Sequence, residues 1–172
     1  MIAFYLQIKL VHIAAVLASG GLFALRGALV LELTENPAPP APGPFSLPVT
    51  VRTVPTKNPV AGAMLYWRKM FEAEKATPMR DDGQGDDAVA GDGIFSGRIE
   101  GVALVAGEMV RWRVTAADVT GLTGRAPANN VPDDSQIYHG TVAQDPSLST
   151  SQLPVLHWFM AAGVNPDTTT RA

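Results

Sequence analysis

The eight residues Met109-Val110-Arg111-Trp112-Arg113-Val114-Thr115-Ala116 alternate without a break. Val110, Trp112, Val114 and Ala116 fall on one side of an extended chain, and Arg111, Arg113 and Thr115 on the other. Slipping the register by one residue would bury two arginines, so one register is strongly preferred. This is the pattern of a strand with one face in a core and one in water. Outward from it, Asp118-Val119-Thr120-Gly121 supplies a turn, and Ile137 to Val142 is a further strand candidate.

Earlier segments repeat the theme. Val49 to Val54 alternates in the same way. Ala63 to Arg68 follows, with Leu65 and Trp67 expected inward, and Ile94 to Ile99 is a weaker third strand. Residues 69–76 read equally as a short helical turn. Short strands separated by Gly, Asp and Pro predict an antiparallel β-sandwich, with Trp67 and Trp112 as its large core fillers.

The flanking sequence has a different character. Leu10 to Leu25 carries no formal charge, and the apolar stretch runs from Ile2 to Leu31 with Lys9 and Arg26 as interruptions. About 20 apolar residues span a bilayer, and long basic side chains reach its interfaces. The reading is an uncleaved anchor; a cleaved signal peptide is the rival, although no clean small-x-small site follows the run before Glu32. Tyr5, His12, Ser19 and Arg26 recur every seven residues and form one polar stripe. Such a stripe suits a helix packed in a bundle, or arises by chance in a single span. Residues 34–48 then hold six prolines in fifteen positions, which predicts an extended spacer between anchor and domain.

Composition narrows the function. The chain has 172 residues and a formal charge of -3, so it lacks the basic footprint of a nucleic-acid binder. It has no cysteine, which excludes a disulfide scaffold, a thiolate zinc site and a cysteine nucleophile. None of the four lysines follows a glycine-rich phosphate loop, and neither a Gly-x-Ser-x-Gly elbow nor a His-Glu-x-x-His helix is present. His12, His139 and His157 read as ordinary structural histidines.

One local feature bears on metal. Between Asp81 and Asp92, five of the sixteen acidic residues fall in twelve positions: Asp81, Asp82, Asp86, Asp87 and Asp92. Clustered carboxylates need a cation or backbone N–H groups to offset their repulsion. Hard oxygen ligands suit Ca²⁺, yet no glutamate stands where an EF-hand requires one. Turn chemistry, with aspartates capping backbone amides, is the competing reading.

Two resemblances add to this. "FYLQIKLVHIAAVLASGGLFALRGALV", through Lys9, His12, Ser19, Phe23, Arg26 and Gly27, resembles the first transmembrane helix of SirB-type proteins, which implies a small multi-span inner-membrane protein. The further apolar spans of that family do not follow. "MRDDGQGDDAVAGDGIFSG", "VRWRVTAADVTG" and "IYHGTVAQDPSLSTSQLPVLHWF", taken in order, are similar to a region of CotH-type bacterial proteins from about Pro48 to Arg171. There an immunoglobulin- or fibronectin-like domain precedes a kinase-like domain. This chain has Asp86 where that family has glycine, and the family's nucleotide-binding and catalytic residues have no counterparts in it.

The expectation is a mainly β chain: an immunoglobulin- or fibronectin-like antiparallel β-sandwich preceded by one N-terminal transmembrane-type helix. Its divisions are a membrane helix at 1–31, a proline-rich linker at 32–48, a sandwich at 49–143, and a tail at 144–172 that resembles the start of a truncated CotH-type domain. The expected role is a non-catalytic, membrane-anchored or exported accessory module, a fragment or fusion of a CotH-type protein. The alternatives are a SirB-type membrane component with a β appendage, and a truncated kinase-like enzyme lacking its catalytic part. Expected partners are a membrane through residues 1–31 and a protein or a domain of the same chain, with no nucleic acid. The β domain is expected outside the cytoplasm, with Ca²⁺ at the five aspartates as its one candidate cofactor.

Overall fold

A computed structural model of the chain describes residues 29–33, 37–55, 57–128, 137–148, 150, 154–157 and 159. Residues 1–28, with the polar stripe from Tyr5 to Arg26, lie outside the described residues, as does most of the tail. Among the described residues no helix is long and apolar enough to cross a membrane.

The described residues form eight strands: β1 (Leu29–Leu33), β2 (Gly43–Pro55), β3 (Val60–Lys69), β4 (Lys75–Pro78), β5 (Ile94–Leu104), β6 (Met109–Asp118), β7 (Thr123–Ala126) and β8 (His139–Val142). One sheet has the order β1-β2-β5. The other has the order β4-β3-β6-β7, with β8 also paired to β6. Every pairing is antiparallel. On β6, β8 takes the half from Met109 to Trp112 and β7 the half from Val114 to Ala117, so the two follow one another in line. This is the β-sandwich that the alternating segments predicted.

The inward faces are those expected. Val110, Trp112, Val114 and Ala116 are buried, and so are Ala63, Leu65 and Trp67 on β3. Trp67 and Trp112 are direct cross-strand partners. Phe45, Val49, Val51, Phe95, Ile99 and Leu104 face them from the first sheet. Fully burying each large apolar side chain contributes about 1.5–3 kcal/mol, so this cluster dominates the stability.

Three placements differ from the sequence reading. First, Leu29, Val30 and Leu31, assigned above to the end of a membrane helix, lie in β1, where Leu29 pairs with Pro55 and Leu33 with Val51. Their i, i+2 spacing turns Leu29, Leu31 and Leu33 toward the core. Second, the described part of the proline segment lies between β1 and β2, two strands of the same sheet, instead of preceding the first strand as the sequence reading placed it. Gln144 seats it: its backbone N–H donates to the Pro40 carbonyl at 2.8 Å and its side-chain amide to the Pro39 carbonyl at 3.0 Å. Strand β2 also includes Pro44 and Pro48. Over that part it pairs with β5 alone, because β1 covers only Val51 to Pro55. Proline, which lacks an N–H, is tolerated at such an open edge. Third, residues 69–76 form no helical turn. The chain reverses at Met70–Glu72, with Phe71 at φ 70°, and β4 returns beside β3 with Lys75 opposite Trp67.

His139 enters the core from β8. It lies opposite Trp112, ring centroids 6.1 Å apart, and its Nε2 is buried without a hydrogen-bond partner. Burial holds its pKa below the ordinary value near 6.5. The folded state therefore binds this proton less readily than the unfolded state does. Its contribution is fully present above pH 6.5 and is lost as pH falls through the lowered folded value. Thermal unfolding midpoints recorded from pH 8 to pH 5 are expected to decline below pH 6.5, and His139→Asn should flatten that part of the profile. An unchanged profile in the variant would remove His139 as the cause.

Candidate metal centre in the loop between the sheets

The acidic segment is the crossover that carries the chain from β4 in one sheet to β5 in the other. Its base is closed by a reciprocal backbone pair: Arg80 and Ser96 each donate an N–H to the other's carbonyl at 2.8 Å. Thr53 on β2 fixes the exit, its backbone N–H and its hydroxyl both donating to the Gly93 carbonyl at 2.9 Å.

Within the loop, Asp81 is the hub. Its Oδ1 accepts N–H groups from Gly91 at 2.8 Å and Asp92 at 3.1 Å, and its Oδ2 accepts one from Gly93 at 3.2 Å. Gly91 and Gly93 have φ of 72° and 79°, a conformation that costs glycine little. That twist lets three successive amides converge on one carboxylate. Asp87 is buried, and its Oδ2 accepts the Gly83 N–H at 2.5 Å. Asp92 is exposed and caps the start of β5, accepting the Ile94 N–H at 2.8 Å.

The five aspartates therefore separate into two groups. Asp81, Asp87 and Asp92 each present a carboxylate oxygen within 4.8 Å of the other two. Asp82 and Asp86 are committed elsewhere. Asp82 accepts the Gln84 N–H at 3.1 Å and lies 3.7 Å from Arg80. Asp86 takes Arg98 through both carboxylate oxygens, with Arg98 Nε donating at 2.8 Å. Arg98 also donates to the Ser46 hydroxyl at 2.9 Å, so the loop is tied to β2 as well as β5. The hydrogen bonds that Arg98 donates to Asp86 hold its pKa above the ordinary value.

The triad has the ligand chemistry of a hard-cation site. Asp81 Oδ1 accepts two amides, but the oxygens that accept only one, Asp81 Oδ2 and Asp87 Oδ2 among them, retain a lone pair, so turn capping and cation binding are compatible at those atoms. A cleft of about 390 Å³ opens beside it, lined by Thr53, Val60, Asp81, Asp92 and Phe95 among others.

Two further polar clusters were not anticipated. On the outer face of the larger sheet, Glu74 receives Arg113 in a bidentate fork, from Nε at 3.0 Å and from a terminal nitrogen at 2.7 Å. The Tyr138 hydroxyl donates to the same carboxylate at 3.0 Å. Burial raises the Glu74 pKa, but the Arg113 and Tyr138 hydrogen bonds outweigh it and leave it below the ordinary value. At the other end of β6, Asp118 is buried. It accepts from Asn58 at 3.0 Å and from the Thr120 and Leu122 amides at 2.8 and 2.9 Å. These bonds, the one from Asn58 foremost, lower its pKa to about 2. The alternation placed Arg113 outward, which was the available signal for the first cluster. Glu74 lay in the segment read as a helical turn, so its partner was not legible.

The chain matches no protein-family model and no curated protein.

Proposed function

We propose that this chain is a non-catalytic accessory module: a fibronectin-like sandwich, held at a membrane or exported, whose inter-sheet loop is stiffened by Ca²⁺. The strand order supports the fibronectin-like assignment. A constant-type immunoglobulin domain keeps four strands in its first sheet. Here that sheet has three, and β4 stands beside β3 in the other. The observation that carries the functional reading is the use made of the acidic residues. Asp81, Asp87 and Asp92 accept backbone amides that shape the crossover, and each also presents a carboxylate oxygen within 4.8 Å of the other two, close enough for one cation to bridge them. Carboxylates arranged in this way serve architecture rather than proton transfer. The apolar run from Ile2 supports membrane attachment, and it leads directly into β1. An anchor there would hold the sandwich close to the bilayer, with the proline segment folded back on the domain.

Calcium is tested by thermal and urea unfolding of the full chain in detergent, in 10 mM Ca²⁺ against chelator. For a Kd in the range of about 10⁻⁴–10⁻³ M, as in extracellular modules, 10 mM Ca²⁺ stabilises by about 1.4–2.7 kcal/mol. Asp87→Asn should abolish the increment, and Asp82→Asn should leave it. No stabilisation at 10 mM removes the metal from the proposal. Nucleotide binding by the full chain would overturn the non-catalytic reading and favour the kinase-like alternative.

A further inference from the structure

The outer face of the larger sheet carries a charge arrangement that folding alone does not reward. Arg68 on β3 and Arg111 on β6 are direct cross-strand partners on that face. Like charges placed directly opposite are destabilising. Both side chains are only partly exposed, and the Nε atom of each is buried without a hydrogen-bond partner. Arg125 joins them. All three guanidinium groups gather around the Tyr138 ring, Arg111 at 4.6 Å, Arg68 at 5.5 Å and Arg125 at 5.8 Å from its centroid. Arg68 donates to the Glu72 carbonyl and Arg125 to the Ile137 carbonyl, both neutral acceptors. Among the described residues, the only ion pair on this face is Arg113 with Glu74. Burial, and after it the neighbouring Arg68, hold the Arg111 pKa below its ordinary value against the smaller opposing pull of Tyr138 and Glu74.

The same face shows what such a counter-charge looks like when seated. The Glu74 carboxylate takes two nitrogens of Arg113 and the Tyr138 hydroxyl. Arg68, Arg111 and Arg125 surround the ring of that same tyrosine, and among the described residues none of the three forms an ion pair with a carboxylate. Guanidinium groups stacked on an aromatic ring retain their in-plane donors for a bidentate acceptor. The rest of the chain does not share this sign, since its net charge is -3.

We infer that the Arg68–Arg111–Arg125 cluster around Tyr138 is a docking surface for an acidic segment of a partner protein, whose Asp or Glu carboxylates occupy seats like that of Glu74 on Arg113. This deepens the accessory reading by giving its docking role a surface and a partner chemistry. It is independent of the calcium loop, so loss of either leaves the other standing.

The test is a titration of the full chain in detergent at low salt with hexaglutamate, and with hexaglutamine as the neutral control. Hexaglutamate should bind and hexaglutamine should not. Arg111→Gln and Arg125→Gln should each weaken binding about tenfold, as loss of a charge-assisted bidentate contact does. Arg52→Gln, on the other sheet, should leave it unchanged. Raising salt to 0.3 M should weaken binding several-fold. The thermal midpoint of Arg111→Gln without peptide should equal or exceed that of the parent chain, because a repulsive pair has been relieved. A purely structural arginine would give a lower midpoint. If Arg111→Gln unfolds, Arg125→Gln at the sheet margin decides the matter. Absence of hexaglutamate binding, equal loss with Arg52→Gln, or displacement of the peptide by equimolar inorganic phosphate would each overturn the proposal.

Discussion

Replacing Trp112 with alanine is expected to cost about 3–5 kcal/mol, the range for deleting a large aromatic side chain from a packed core. Domains of this size are stable by about 5–15 kcal/mol, so the variant should be largely unfolded at modest urea concentrations. Trp112 is 1% exposed, lies opposite Trp67 and is flanked by His139 from β8. Its removal opens a void that both neighbours line. Trp112→Phe should cost much less, about 1–2 kcal/mol. The indole N–H of Trp112 is buried without a partner, so phenylalanine removes an unsatisfied donor while it loses volume. Urea unfolding followed by far-ultraviolet circular dichroism gives both values. A loss below about 1 kcal/mol for the alanine variant would mean that Trp112 is not the centre of the core.

The reason this residue could be picked out from sequence is the reason its sheet could. Strict alternation around Trp112 has one workable register, because the other buries Arg111 and Arg113. The inward set on β3 and the turn at Asp118 followed from equally local signals. What was not legible depends on contacts distant in sequence. The loop aspartates are chemically alike in the sequence. Only the fold separates Asp86, which meets Arg98, from Asp81, which gathers the amides of Gly91 to Gly93. Strand β1 was hidden for another reason. Leu29, Val30 and Leu31 continue an unbroken apolar run, and periodicity cannot show where such a run changes from one conformation to another. The prolines of β2 misled because proline opposes a strand only where its missing N–H is needed, and that depends on which neighbour is present.

The placement of β1 leads to the second large effect. Gly124 on β7 lies where the edge of one sheet meets the edge of the other. A Cβ added there would stand 2.4 Å from the Leu29 carbonyl oxygen and 3.2 Å from its carbonyl carbon. Both are backbone atoms of a strand, so no side-chain rotation relieves the clash, and β1 or β7 must move. Gly124→Ala is therefore expected to cost about 1–3 kcal/mol, as overpacking does. The loss should be concentrated in β1, whose Leu29, Leu31 and Leu33 would be drawn away from the core. Hydrogen exchange should report it as faster exchange at the β1 amides bonded to β2. Gly140→Ala is the control. Its added Cβ would meet the Met109 Cε at 2.3 Å, but that atom ends a flexible side chain that can turn aside. Its cost should stay below about 1 kcal/mol. If the two glycines ranked the other way, β1 would not be seated against β7 as described. The apolar run from Ile2 would then be coupled to the sandwich less directly than a strand beginning at Leu29 requires.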